Sequence, residues 1–66
     1  MRENFQEICD CLCETLKKTK RYEKLQELRY VSENEEVTAI FEGGEIVINV
    51  RRDSGYSMIK DIMRIL

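Results

Sequence analysis

The chain contains no histidine, no tryptophan and no proline. Without histidine, the Ser–His and Cys–His pairs of nucleophilic catalysis are excluded, as is imidazole acid–base chemistry near neutral pH. Cysteine is confined to Cys9, Cys11 and Cys13. An odd count in C-x-C-x-C spacing is a poor disulfide framework, and neither a fourth thiol nor an imidazole exists to complete a tetrahedral zinc site within one chain. Positive charge is not in excess, since the formal net charge is −2. A global field that would draw the chain to nucleic acid or an anionic membrane is therefore missing. Apolar runs are four residues or fewer, far short of the roughly 20 needed to span a bilayer as a helix. The first residues, M-R-E-N-F-Q-E-I, are charged and amphipathic rather than the apolar block of a signal peptide, so a cytoplasmic protein is expected.

What is present describes a small globular domain. Apolar residues make up 42% and charged residues 36% of 66 residues, too apolar for disorder and enough for one domain, residues 1–66. A domain of this size is marginal alone, which makes a homodimer an early expectation.

The stretch V-T-A-I-F-E-G-G-E-I-V-I-N-V, Val37 to Val50, organises the rest. Two β-rich runs flank Gly43-Gly44, and a Gly-Gly pair takes the positive φ angles of a type I′ hairpin turn at little steric cost. With those glycines as the loop, Phe41 faces Ile46, Ala39 faces Ile48 and Val37 faces Val50. Side chains alternate with period two, so these pairs form one apolar face. The opposite face carries Thr38, Ile40, Glu42, Glu45, Val47 and Asn49, with Ile40 facing Val47.

Before the hairpin, Asn4 to about Lys20 reads as a helix. Phe5, Ile8, Leu12 and Leu16 recur at helical spacing, with Cys9, Cys13 and Thr19 beside the stripe. Cys9 and Cys13 read as small, half-buried packing residues and Cys11 as a surface thiol. Glu3, Glu7, Asp10 and Glu14 precede Lys17, Lys18, Lys20 and Arg21, an order that complements the helix macrodipole. Between Arg21 and Ser32 two readings compete. Leu25 and Leu28 extend the helical stripe, whereas L-R-Y-V favours a strand and E-N-E-E a turn. The strand is preferred, since a third strand supports a hairpin that is barely stable alone. After the hairpin, Asp53 or Ser54 caps a helix, whose apolar face is Ile59, Ile62, Met63 and Leu66, widened by Met58 and Ile65.

The expected fold is thus α+β in two layers: an N-terminal helix, a three-stranded (or two-stranded) antiparallel meander and a C-terminal helix, with both helices over one sheet face. No catalytic, cofactor or metal residues are assigned. The Gly-Gly pair precedes a strand rather than a helix, so it is no phosphate loop. Free amides at the second helix start are explained by a cap. The carboxylates Glu33, Glu35 and Glu36 fit a solvated turn.

The C-terminal half resembles short proteins of Gram-positive bacteria and their prophages and mobile elements. The resemblance rests on a V-T-x-x-F-x-x-G hairpin, an N-V exit and a D-S-G-x-x-M-I-x-D-I helix start. The matching positions are Val37, Thr38, Phe41, Gly44, Asn49, Val50, Asp53, Ser54, Gly55, Met58, Ile59, Asp61 and Ile62. It implies a small accessory protein that binds a larger host or phage protein. By analogy of size and acidity, an inhibitor of a defence system such as an anti-CRISPR protein is one such role.

Two functional expectations follow. In the first, a non-enzymatic protein-binding module uses Ile40, Val47 and Tyr30 on the outer sheet face, or the acidic residues Glu33, Glu35 and Glu36. In the second, a nucleic-acid-binding accessory protein uses Lys17, Lys18, Lys20, Arg21, Arg51 and Arg52.

Overall fold

The computed structural model describes residues 4–50 and 54–66. The first helix, α1, spans Phe5–Lys17. It starts where Asn4, in extended conformation, accepts the Glu7 N–H on its side-chain oxygen at 3.0 Å, satisfying one amide left free by the first turn. It stops earlier than Lys20, because Thr19 turns extended (φ −97°, ψ 147°). The Thr19 hydroxyl and N–H both donate to the Leu16 carbonyl, at 2.7 and 2.9 Å. A single 3-10 turn, Lys20–Tyr22, then leads into the sheet.

The strand reading of the contested segment holds. Strands β1 (Leu25–Val31), β2 (Glu36–Phe41) and β3 (Gly44–Asn49) form an antiparallel sheet in the order β1-β2-β3. Leu25 pairs with Phe41 but Glu27 with Ile40, so Gln26 is an extra residue in a β-bulge. The bulge puts Leu25 and Leu28, three residues apart, on the same face, where both are buried. Their helix-like spacing therefore arises inside a strand.

The hairpin register differs from the expected one by two residues. Phe41 pairs with Gly44, Ala39 with Ile46 and Val37 with Ile48. The loop is Glu42-Gly43, and Gly44 belongs to β3. Neither glycine takes a positive φ, so the turn is not type I′. A slip of two preserves which face each side chain occupies, and the apolar face survives the change. The positive φ sits instead on Glu35 (52°), at the end of the four-residue turn between β1 and β2. Its carbonyl accepts the Val50 N–H at 3.0 Å, which ties the exit of β3 to that turn.

The second helix, α2, spans Gly55–Ile65. Ser54 is its cap, its hydroxyl accepting the Ser57 N–H at 3.1 Å; Asp53 lies outside the described residues. Both helices pack on one face of the sheet. The core is Cys9, Cys13, Leu16, Leu25, Leu28, Val37, Ala39, Ile48, Val50, Met58 and Ile62. The buried line of α1 is thus Cys9–Cys13–Leu16, while Phe5, Ile8 and Leu12 flank it half-buried. In α2 the buried line is Gly55–Met58–Ile62, and Met63 (40% exposed) and Ile65 (56%) lie outside it. Both stripes are rotated from the expected ones. Cys9 and Cys13 are buried rather than half-buried, and Cys11 is exposed as expected.

Candidate protein interface

Alternation along the strands decides which side chains face away from the helices. The outer face consists of three cross-strand rows: Glu27–Ile40–Glu45, Arg29–Thr38–Val47 and Val31–Glu36–Asn49. No outer-face residue belongs to the core, and among the described residues no helix covers this side. Ile40 and Val47 share the face but are diagonal neighbours rather than direct partners, a consequence of the two-residue change in register. Ile40 is half-buried on the central strand, and Val47 is 54% exposed on β3. Glu27 and Arg29 pair along β1 at 2.8 Å.

Tyr30 does not belong to this group. It pairs with Val37, whose side chain is in the core, so it points toward the helices. There its ring meets Phe5 at 5.3 Å between centroids. The expected placement on the outer face is corrected by the bulge, which inverts the side-chain phase of β1 relative to a simple count from Leu25. Glu33 and Glu35 are exposed at the β1–β2 turn, and Glu36 begins β2 on the outer face, half-buried.

The two sheet edges are unlike. On β1, Leu28 and Tyr30 direct their backbone groups away from β2, and α1 covers them. Gln6 donates from Nε2 to the Leu28 carbonyl at 3.1 Å and accepts the Tyr30 N–H on Oε1 at 2.8 Å. The side-chain amide of Gln6 thereby stands in for a neighbouring strand. Nothing in the composition marked Gln6, yet it occupies the same helical line as Cys9 and Cys13, at i+3 and i+7. A polar residue in line with the buried ones was the signal. On β3, alternation of the ladder leaves Glu45, Val47 and Asn49 with outward backbone groups. Among the described residues these have no hydrogen-bond partner, and all three are exposed.

The cations Lys17, Lys18, Lys20, Arg21 and Lys24 are exposed and gather where α1 ends and β1 begins. Arg21 reaches the Leu66 carbonyl at 3.4 Å, so the C-terminal ends of both helices meet there. Two partial negative charges of helix ends account for cations at this place. Arg21 also lies over the Tyr22 ring, and Lys17 pairs with Glu14 at 3.9 Å. Arg51 and Arg52 lie outside the described residues.

Burial pushes the Cys9 thiol up to about 11, with the Asp10 charge adding to the effect. Burial also raises Cys13, against the opposing pull of Lys17. Such thiols are packing groups, since the reactive species is the thiolate. Among the described residues no three ligating side chains converge on a metal position. A depression of about 70 Å3 lined by Ser57, Lys60, Asp61 and Arg64 lies on α2 alone, well below the ~300 Å3 of small-molecule sites. Among the described residues no helix is long and apolar enough to cross a membrane. No family model, curated protein or solved structure matches the chain.

Proposed function

We propose that this chain is a small non-enzymatic protein-binding module that engages a larger protein through the helix-free face of its sheet. One observation carries the reading: among the described residues neither helix covers that face, on which Val31, Ile40 and Val47 are set among Glu27, Arg29, Glu36, Glu45 and Asn49. Apolar side chains within a polar surround are the composition of a non-obligate interface. The acidic turn bearing Glu33 and Glu35 lies at one end of the same face and supplies charge for a basic partner. The setting we propose is the cytoplasm of a bacterium, with the gene carried by a phage or mobile element. Inhibition of a host defence protein fits that setting by analogy of size. Support for the setting comes from the hairpin and helix-start residues named above.

The test is affinity capture from the native host with the wild-type chain and with Ile40→Lys. Ile40 lies on the central strand, so the substitution alters the face without touching a sheet edge. The captured partner should be lost while far-UV circular dichroism and thermal unfolding stay unchanged. Equal capture by both proteins removes the outer face from the reading.

The gathering of Lys17, Lys18, Lys20, Arg21 and Lys24 supports a second reading, a nucleic-acid-binding accessory role. Its signature is an affinity that falls steeply with salt, by about 0.9 log units per log unit of salt for each phosphate neutralised. Fluorescence anisotropy with a labelled duplex and a labelled single strand, starting at low salt, decides it.

A further inference from the structure

We infer that β3 is the seam of a symmetric homodimer, in which Glu45, Val47 and Asn49 pair antiparallel with the partner's Asn49, Val47 and Glu45. The two sheets then join into one of six strands.

The contrast between the two edges is the starting point. The β1 edge is closed by Gln6. Apart from the Glu45 charge, the β3 edge shows few of the usual protections among the described residues: no proline exists in the chain, no lysine lies on β3, and its register with β2 is unbroken. An open edge with unpaired backbone groups is a template for another strand. Three outward residues at alternate positions, 45, 47 and 49, form a set that is self-complementary about its centre.

A two-fold axis at Val47 gives the pairing its chemistry. Val47, 54% exposed, meets its own copy. Glu45 lies opposite the partner's Asn49, a carboxylate facing an amide donor, and no two carboxylates oppose one another. An axis at Glu45 would instead set two like charges face to face, which is unfavourable. On the helix side, Ile46, 41% exposed although it faces the core, comes beside the partner's Ile48. The seam thus covers two exposed apolar side chains per chain and supplies partners for the outward amides and carbonyls. Antiparallel pairing also sets the acidic turn of one chain, at Glu33 and Glu35, at the same end of the joined sheet as the partner's Lys20 and Arg21, although strands of both chains lie between them. A second copy is thus matched along the seam itself, at positions 45, 47 and 49 and on the helix side at 46 and 48.

This inference goes beyond the binding of a larger protein and stands or falls apart from it, because that reading is tested at Ile40. Sedimentation velocity of the wild-type chain, from low micromolar to ~1 mM, should show a monomer–dimer equilibrium. Val47→Lys and Val47→Glu each place two like charges at the axis and should weaken the dimer by roughly tenfold or more. Mixing these two proteins should restore a heterodimer, since opposite charges then meet. Hydrogen exchange of the wild type requires no variant: the amides of Glu45, Val47 and Asn49 should exchange more slowly as concentration rises. The inference is overturned if the wild type stays monomeric throughout, if exchange at these amides ignores concentration, or if the dimer is indifferent to charge at position 47.

Discussion

The side-chain carbonyl of Gln6 accepts the backbone N–H of Tyr30 at 2.8 Å, across 24 residues of sequence. Together with the bond to the Leu28 carbonyl at 3.1 Å, it fixes α1 against β1 by polar contacts in addition to the apolar ones. The amide of Gln6 is further oriented by Asp10, which accepts from Nε2 at 2.9 Å.

Gln6→Ala should therefore cost more than an ordinary surface substitution. It leaves a part-buried N–H and C=O on β1 without their protein partner, at about 1–3 kcal/mol. Urea denaturation should show the loss as a lower midpoint with an unchanged slope. The same variant exposes a second sheet edge, so light scattering at high concentration should rise. An unchanged midpoint would mean that water replaces the side chain at no cost.

The three thiols should separate chemically. Cys11 is exposed, and Cys9 and Cys13 are buried, so one equivalent of alkylating agent should react at neutral pH and three after unfolding. The raised Cys9 thiol also makes stability depend on alkaline pH. The native chain holds the Cys9 proton up to about 11, whereas the ordinary value is 9.0. Between those values the native state binds more protons than the unfolded state. Stability is thus full below pH 9 and falls as pH rises toward 11, by up to ~1.4 kcal/mol per pH unit. Cys13 acts in the same direction. Chemical denaturation across that range should show the decline, and Cys9→Ala should flatten it.

Most of the fold was legible because period-two and period-3.6 patterns survive small errors in register. The hairpin illustrates this. Slipping the pairing by two residues, from Phe41–Ile46 to Phe41–Gly44, leaves Val37, Ala39 and Ile48 on the core face. What a slip of two does change is which residues meet directly, and that is why Ile40 and Val47 are diagonal neighbours. The bulge at Gln26 was not legible. It gives Leu25 and Leu28 a spacing that belongs to helices, and it reverses the facing of Tyr30. Bulges are set by backbone pairing, which no side-chain period records. The closed edge of β1 was legible only in part: the line of Gln6 with Cys9 and Cys13 marks the residue, but not its contact with strand residues 22 and 24 positions later.

The rotation of the α2 stripe gives a direct comparison of two methionines. Met58 is fully buried, whereas Met63 is 40% exposed. Met58→Ala should cost about 2–5 kcal/mol, combining lost transfer energy with the cavity left behind. At roughly 0.05–0.15 kcal/mol per residue, a chain of this length has only a few kcal/mol of total stability, so this variant should be partly unfolded at room temperature. Met63→Ala should cost less than about 1 kcal/mol. Thermal unfolding followed by circular dichroism ranks the two; the reverse order would return the apolar face to Ile59, Ile62, Met63 and Leu66.

The turns assign opposite roles to glycine and glutamate from those that composition suggests. Gly43 and Gly44 both have negative or extended φ, and a Cβ added to either meets nothing within 4 Å. Gly43→Ala and Gly44→Ala should therefore be neutral or stabilising, by about 0.4–1 kcal/mol, because alanine restricts the unfolded chain without straining the native one. Had either glycine held the positive φ of a type I′ turn, the same changes would be destabilising. Glu35, at φ 52°, is the residue in the left-handed region, where a Cβ costs roughly 1 kcal/mol or more. Glu35→Gly relieves that strain but adds freedom to the unfolded chain and gives up the remaining interaction of Glu35, so the net should lie within about 1 kcal/mol of the wild type. Its carbonyl bond to the Val50 N–H is a backbone contact and survives the change. Glu35→Val, β-branched and poorly tolerated at positive φ, should lose stability. Urea midpoints for the four variants give an ordering in which both alanines lie at or above the wild type and Glu35→Val lies below both the wild type and Glu35→Gly.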